Sequence, residues 1–268
     1  MRKVSRYGWK RDTPDHRDAM YRLIHPTLLL EVAALPSAAD TSELYPQVWD
    51  QGNSSSCVGH SVAATACHER ARLRLSPSLE LSRLFLYYGA RAIGGNVDTD
   101  DGAEIRDGFK TLAQSGAPRE DVWPFYSNLR NIVQQPSHQA YLAATWHKAT
   151  KYRPSPQNLD VLKAIVASGQ AFSFGFSVYE EFESETVVYS GILTLPGTTE
   201  SQVGGHAVSC AGYDDSVKAF KVRNSWGPDW GQHGYFWMPY DYILNPDLAS
   251  DFLDCRSDVG VTGRDEHA

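Results

Sequence analysis

The chain has 268 residues, room for one large domain or two small lobes around a sizeable core. Its 42% hydrophobic and 21% charged residues are an ordinary globular balance, and no apolar run approaches the roughly 18 residues of a membrane span, so no membrane partner is expected. A net charge of −7 argues against nucleic acid as the main partner.

The first 25 residues carry seven Lys/Arg and three Asp, a net +4, which leaves −11 on the remainder. Met1-Arg2-Lys3-Val4-Ser5-Arg6 is basic, but no apolar signal core follows it. The expected location is therefore cytoplasmic, or outside by a route without a classical signal peptide. A basic leader on an acidic body suits docking onto its own chain, and equally a disordered arm; charge alone does not separate the two.

Further along, Ser54, Ser55 and Ser56 are capping candidates for a helix over 57–75, where Val58, Val62, Cys67 and Leu73 stand among alanines and charges in an amphipathic pattern. Helices are also expected over 81–93 and 103–115, the second closed by Gly116 and Pro118. Between them Asp98, Asp100 and Asp101 suggest a calcium loop, but the glycine required at the sixth loop position is missing, so they read as solvated carboxylates and no metal is expected.

The second half turns to strands. Residues 171–178 alternate cleanly, and 206–213 with 217–223 predict a hairpin around Asp214-Asp215-Ser216. Helices first and strands later predict an α+β protein of two lobes, with a ligand cleft where they meet. Four cysteines without paired spacing make no disulfide framework. Cys67 reads as core or harmlessly exposed, Cys210 as a small buried hydrophobe, and Cys255 as a free thiol.

A hairpin centred on Asp215 sets His206 opposite Asn224, barring a bulge, at the open end of a face shared with Val208, Cys210, Phe220 and Val222. An amide oxygen accepting the imidazole N–H would fix that base in one tautomer. Cys57 stands at the predicted start of its helix, where free N–H groups and the helix dipole favour a thiolate, as would an imidazolium at His206. Its pKa is therefore expected to be depressed. The Cys57 N–H and the Gln51 side chain could together hold an oxyanion, a type of donor worth about 3–4 kcal/mol. His60 shares a helix face with Cys57 and could be a second base or a ligand, but no further ligands are evident and a packed histidine is the simpler reading.

These residues resemble the papain family of cysteine peptidases. Gln51-Gly52, six and five residues ahead of Cys57, match the family's spacing, and Gly204-Gly205-His206-Ala207-Val208 resembles its histidine strand. Asn224-Ser225-Trp226-Gly227-Pro228-Asp229-Trp230-Gly231 is similar to its asparagine motif. The resemblance spans roughly residues 40–240. It implies a papain-like two-lobe fold, with a helical lobe over 39–145 and a β-rich lobe over 146–268. It also implies catalytic roles for Cys57, His206, Asn224 and Gln51, a shield for the His206–Asn224 bond in Trp226, and backbone pairing of an extended polypeptide substrate at Gly102. Gly205, also beside the cleft, stands where papain carries an aspartate.

Where the family has Cys-Gly-Ser/Ala-Cys-Trp/Tyr, this chain has Ser54-Ser55-Ser56-Cys57-Val58, without the disulfide cysteine or the aromatic, and His60 stands where an aromatic is usual. These departures suit the disulfide-free bacterial branch, xylellain-like enzymes among them. Residues 7–18 resemble the short N-terminal segment of those proteins, and by analogy residues 1–38 cross the cleft as an inhibitory leader. The implied activity is peptide hydrolysis through a thioester by a monomer that needs no cofactor. A catalytically silent papain-like binding protein, or an acyl transferase on the same site, are the alternatives.

Overall fold

The structure is a computed structural model that describes residues 7–15, 35–75, 79–149 and 151–256. Of the leader, residues 7–15 and 35–38 are described, and the rest lies outside the described residues. In chain order the strands are β1 (Trp9–Lys10), β2 (Ala38–Asp40), β3 (Ala103–Glu104), β4 (Lys151–Pro154), β5 (Phe172–Tyr179), β6 (Gln202–Asp214), β7 (Ala219–Arg223), β8 (Tyr235–Pro239) and β9 (Ala249–Arg256). The helices that shape the site are α1 (Cys57–Arg72), α2 (Arg83–Gly94) and α3 (Ile105–Gln114). Among the described residues no helix is long and apolar enough to cross a membrane.

The expected α+β, papain-like two-lobe architecture is observed. One core gathers α1, α2 and α3, with Val58, Val62, Leu84, Phe85, Ile105 and Phe109 at its centre. The other is built on the sheet β4-β9-β5-β6-β7-β8, with β2 added to β6, and is packed with Phe172, Phe174, Phe176, Phe220, Phe236 and Phe252.

Helix α1 joins the two cores, and it departs from the amphipathic pattern expected of it. All but the last of its sixteen residues are buried. Its small residues serve close approach on every side: a Cβ at Gly59 would come 2.4 Å from Arg83 O on α2. Toward the sheet its hydroxyls find partners, as buried polar groups must. Ser61 Oγ donates to Val208 O at 2.7 Å, and Thr65 Oγ1 lies 2.6 Å from Ser209 Oγ and 2.8 Å from Ser173 Oγ.

The hairpin forms with a different register. Ser209 pairs with Arg223 and Cys210 with Val222, followed by a shift to Gly212 with Lys221. Ala211 is the extra residue of a bulge, and the turn extends through Lys218, which takes a left-handed φ of 51°. Asn224 thereby falls level with Val208 rather than His206. A slip of two preserves the face, so His206 and Asn224 remain diagonal neighbours on one side.

Candidate active site

Two segments meet above α1. The first is the loop 51–56, held almost wholly by hydrogen bonds. Gln51 Nε2 donates to Ser54 O at 2.8 Å, Ser54 Oγ donates to Gln51 O at 2.7 Å, and Ser54 Oγ lies 2.7 Å from Ser56 Oγ. Both carboxylate oxygens of Asp100 accept the Ser55 N–H at 3.1 Å, and Tyr87 Oη donates to Asp100 Oδ1 at 2.7 Å. Asp100 is thus a buried anchor rather than the solvated carboxylate expected, whereas Asp98 and Asp101 are exposed as anticipated. No serine side chain caps α1: Ser54 is spent inside the loop, and Ser56 Oγ lies 3.2 Å from His60 Nδ1. This loop ends on Cys57, the first residue of α1, buried and in the free thiol form like Cys67, Cys210 and Cys255.

The second segment carries His206 on β6 and Asn224 just past β7. His206 Nε2 lies 2.8 Å from Asn224 Oδ1, which also accepts the Ser225 N–H at 2.8 Å. The acceptor on Asn224 fixes the proton on Nε2 and leaves the Nδ1 lone pair, buried and without a hydrogen-bond partner, for other work. The N–H of Ala207, the residue after His206, points at the Cys57 thiol, so thiol and imidazole share one site.

Gln51 ties the two segments together. Its N–H donates to Ser225 O at 2.8 Å, and its Oε1 accepts from Ser225 Oγ at 2.6 Å. The amide plane is fixed by these contacts, with one Nε2 hydrogen on Ser54 O and the second uncommitted. Trp226 lies over the imidazole at a centroid distance of 5.1 Å and 34°, and Phe182 and Trp230 pack against Trp226 in turn.

Residues 7–15 of the leader lie in the cleft. β1 pairs in parallel with β3, Trp9 with Ala103, and Ala103 donates its N–H to Gly8 O at 2.8 Å. Gly102 holds φ +81°, and a Cβ there would come 2.1 Å from Gly8 O, so the leader needs this residue to be glycine. Gly8 is equally constrained: a Cβ on it would lie 1.7 Å from Ser55 O. Trp9 lies flat on backbone, 2.0 Å from the position of a Cβ on Gly175 and 2.7 Å from one on Gly205. Its Nε1 donates to Asp251 Oδ2 at 2.9 Å. Tyr7 packs on Gly204, His206 and Trp226, and its hydroxyl donates to Glu183.

Burial sets the ionisation state of both Cys57 and His206. Burial pushes the Cys57 thiol up to about 11, against the N–H groups of Ala207, Gly8, Val58 and Cys57 itself, which pull it down. Burial lowers His206 to about 4, offset in part by its bond to Asn224. The depressed thiol expected from a helix start is therefore not found in this leader-docked state, because lost hydration outweighs four backbone donors. Thiol and imidazole are both neutral under the leader.

The structure brings all seven sequence-derived residues, Gln51, Cys57, Gly102, Gly205, His206, Asn224 and Trp226, to one cleft. Sequence reasoning missed the parts of Asp100, Tyr87, Ser225 and Asp251. Asp100 adjoins the Asp101-Gly102 segment already singled out, and Ser225 lies inside the asparagine motif. Tyr87 and Asp251 carry no local signal. Among the described residues no group of three or more His, Cys, Asp or Glu could hold a metal ion.

A family model described as "Papain family cysteine protease" matches residues 35–250. An uncharacterized peptidase C1-like protein of Acanthamoeba polyphaga mimivirus is 33% identical over 92% of this chain and 85% of its own length. Cathepsin B-like CP2 of Giardia intestinalis is 30% identical over 76% of this chain and 69% of its own. Among solved structures, xylellain, a cysteine protease from Xylella fastidiosa, superposes with a TM-score of 0.86 at 38% identity, covering 96% of this chain and 98% of that one.

Proposed function

The chain belongs to the papain family of cysteine proteases, and from that premise we propose that Cys57 is the nucleophile of a peptidase made as a precursor, with its own N-terminal leader across the cleft. The enzyme is a papain-like hydrolase, and polypeptides are its substrates. In this reading residues 1–38 are the leader, 39–145 the helical lobe and 146–268 the β-rich lobe.

With the leader displaced, His206 Nδ1 accepts the Cys57 proton and the sulfur attacks the scissile carbonyl carbon. The carbonyl electron pair moves onto oxygen, where the Cys57 N–H and the uncommitted N–H of Gln51 receive it. As the C–N bond breaks, the imidazolium returns its proton to the leaving amine, and a thioester remains. A water molecule then gives a proton to His206 and attacks the thioester, and the proton passes back to the departing sulfur. Asn224 keeps the imidazole in the Nε2–H tautomer throughout, and Trp226 keeps water from their bond.

The observation that carries the precursor reading is the leader's own path: Gly8 is wedged against Ser55 O and Gly102 beside Cys57 while its carbonyl takes the Ala103 N–H. The same glycines that would let an extended substrate approach accept the leader instead. The test uses a peptidyl epoxide that alkylates papain-type thiols, with labelled positions mapped by mass spectrometry, on the full chain and on Gly8→Ala. Label confined to Cys57 and faster in Gly8→Ala is expected, since the added methyl has no room over Ser55. Equal rates would discard the inhibitory leader, and no label on Cys57 in either folded protein would discard the nucleophile.

A further inference from the structure

His60 is buried beneath the site and takes no part in the steps above. Its Nδ1 lies 3.0 Å from Ser56 O, a carbonyl that can only accept, so Nδ1 carries the proton. Burial, with Arg83 next, holds its pKa well below the ordinary value, and the ring is neutral. Nε2 is therefore a bare acceptor, buried and without a partner. Phe125 stands edge-on to the ring at 4.6 Å, and Trp49 is 6.3 Å away. The charged and titratable groups that bear on it are Arg83, Arg223 and His206.

Asn224 presents the opposite deficit. Its Oδ1 already serves His206 and Ser225, and its Nδ2 is a buried donor without a partner. His60 and Asn224 line the same small cavity, with Ala64, Ala207, Arg223 and Ser225 among its walls. It has room for the centre of one water molecule, ≈ 10 Å³. Arg223 Nη1, a second buried donor without a partner, lines it as well, so one orphaned acceptor and two orphaned donors share a water-sized cavity.

We propose that His60 is a positioning residue: one water in this cavity accepts from Asn224 Nδ2–H and donates to His60 Nε2, holding the Asn224 amide with its oxygen on His206. The inference rests on the reading of His206 and Asn224 as catalytic partners. Its consequence is directional. A reversed amide would set N–H against the N–H of His206 and drive the imidazole to its other tautomer, with the proton on Nδ1. That nitrogen would then be unable to accept from Cys57. An acceptor at His60 gives the water a place for its hydrogen other than a reversed carbonyl and leaves its lone pairs for Asn224 Nδ2–H and Arg223 Nη1–H, while reversal would also cost Oδ1 the Ser225 N–H.

The test is long-range 15N–1H NMR of the histidine side chains in the full chain, alongside His60→Phe and His60→Gln, with a high-resolution crystal structure of the parent. The parent is expected to show His60 protonated on Nδ1, His206 on Nε2, and an ordered water between Asn224 and His60. His60→Phe should mix the His206 tautomers and lower kcat about tenfold at unchanged KM, and His60→Gln, which restores an acceptor, should recover both. A proton on His60 Nε2 in the parent overturns the proposal without any variant, as does one unchanged His206 tautomer across all three proteins. These readouts do not need turnover, so an unreactive Cys57, which would end the peptidase reading, is a separate result.

Discussion

The two sides of the cleft are built from different interactions. On the thiol side, Cys57 is located by a lattice of short polar contacts through Gln51, Ser54, Ser55, Asp100 and Tyr87. On the imidazole side, His206 makes one side-chain hydrogen bond and is otherwise enclosed by rings: Tyr7, Phe176, Phe182 and Trp226. The difference suits what each group needs. In the proposed mechanism the sulfur needs a fixed backbone, because its own N–H is to receive the oxyanion. An imidazole needs one orientation and little competing water, which aromatic walls provide without adding charges that would move its pKa.

The strongest way to break this contrast is Trp226→Ala. Removing a nearly fully buried indole costs about 3–5 kcal/mol in a packed core, and Trp226 also supports Phe182 and Trp230. Urea unfolding should show a loss in that range. Readmitted water should raise the His206 pKa from about 4 toward its ordinary value, a change that an NMR pH titration follows directly. The loop carrying Cys57 should keep its hydrogen bonds. If the unfolding midpoint hardly moves, the aromatic wall is not what holds the imidazole.

Asp100→Ala attacks the other side and should cost less, about 2–3 kcal/mol, the price of leaving the Ser55 N–H and Tyr87 hydroxyl buried without their acceptor. Its signature differs as well. The alkylation rate of Cys57 should fall while the His206 titration stays where it was. Movement of both readouts together would mean that the two sides form a single cooperative unit.

That contrast explains what the sequence could and could not disclose. Alternation found the strand faces, and the constellation survived a wrong register because a slip of two residues leaves every side chain on its own face. The bulge at Ala211 and the left-handed Lys218 have no pattern of their own, so the register that sets Asn224 level with Val208 rather than His206 was out of reach. Helix α1 read as amphipathic because its charged C-terminal turn was legible, whereas Gly59, Ser61 and Ala64 acquire meaning only once α2 and the sheet close around them. Asp100 is locally indistinguishable from Asp98 and Asp101; Tyr87 and the Ser55 N–H decide its burial from a distance. The upward shift of the thiol was hidden for the same reason, since the segments that bury it come from distant parts of the chain.

The leader touches both sides of the cleft, and its hold on them should depend on pH. Asp12 in the leader is buried and Asp251 on β9 half-buried, and the Asp12 N–H donates to Asp251 Oδ2 at 2.8 Å. Burial raises both carboxyls, and for Asp12 the neighbouring Asp251 and Glu104 add to the rise. Arg106 on α3 opposes it through its N–H, 3.1 Å from Asp12 Oδ1, and its guanidinium, 3.5 Å from Oδ2 and shared with Asp15. One cation spread over two leader carboxylates does not offset burial beside a third, so the raised direction stands. A carboxyl whose docked pKa exceeds its free value of about 4 favours docking fully below that value and loses the contribution as pH climbs toward the docked one. Cys57 labelling in the full chain should therefore quicken by about tenfold between pH 5 and pH 8, beyond the reagent's own dependence on thiolate. Asp12→Asn removes the titration while keeping the acceptor for the Arg106 N–H, and should flatten that added slope at the slow, low-pH end. A variant that still opens with rising pH would move the switch away from this pair and leave the aromatic and glycine contacts of Tyr7, Gly8 and Trp9 as the leader's principal hold.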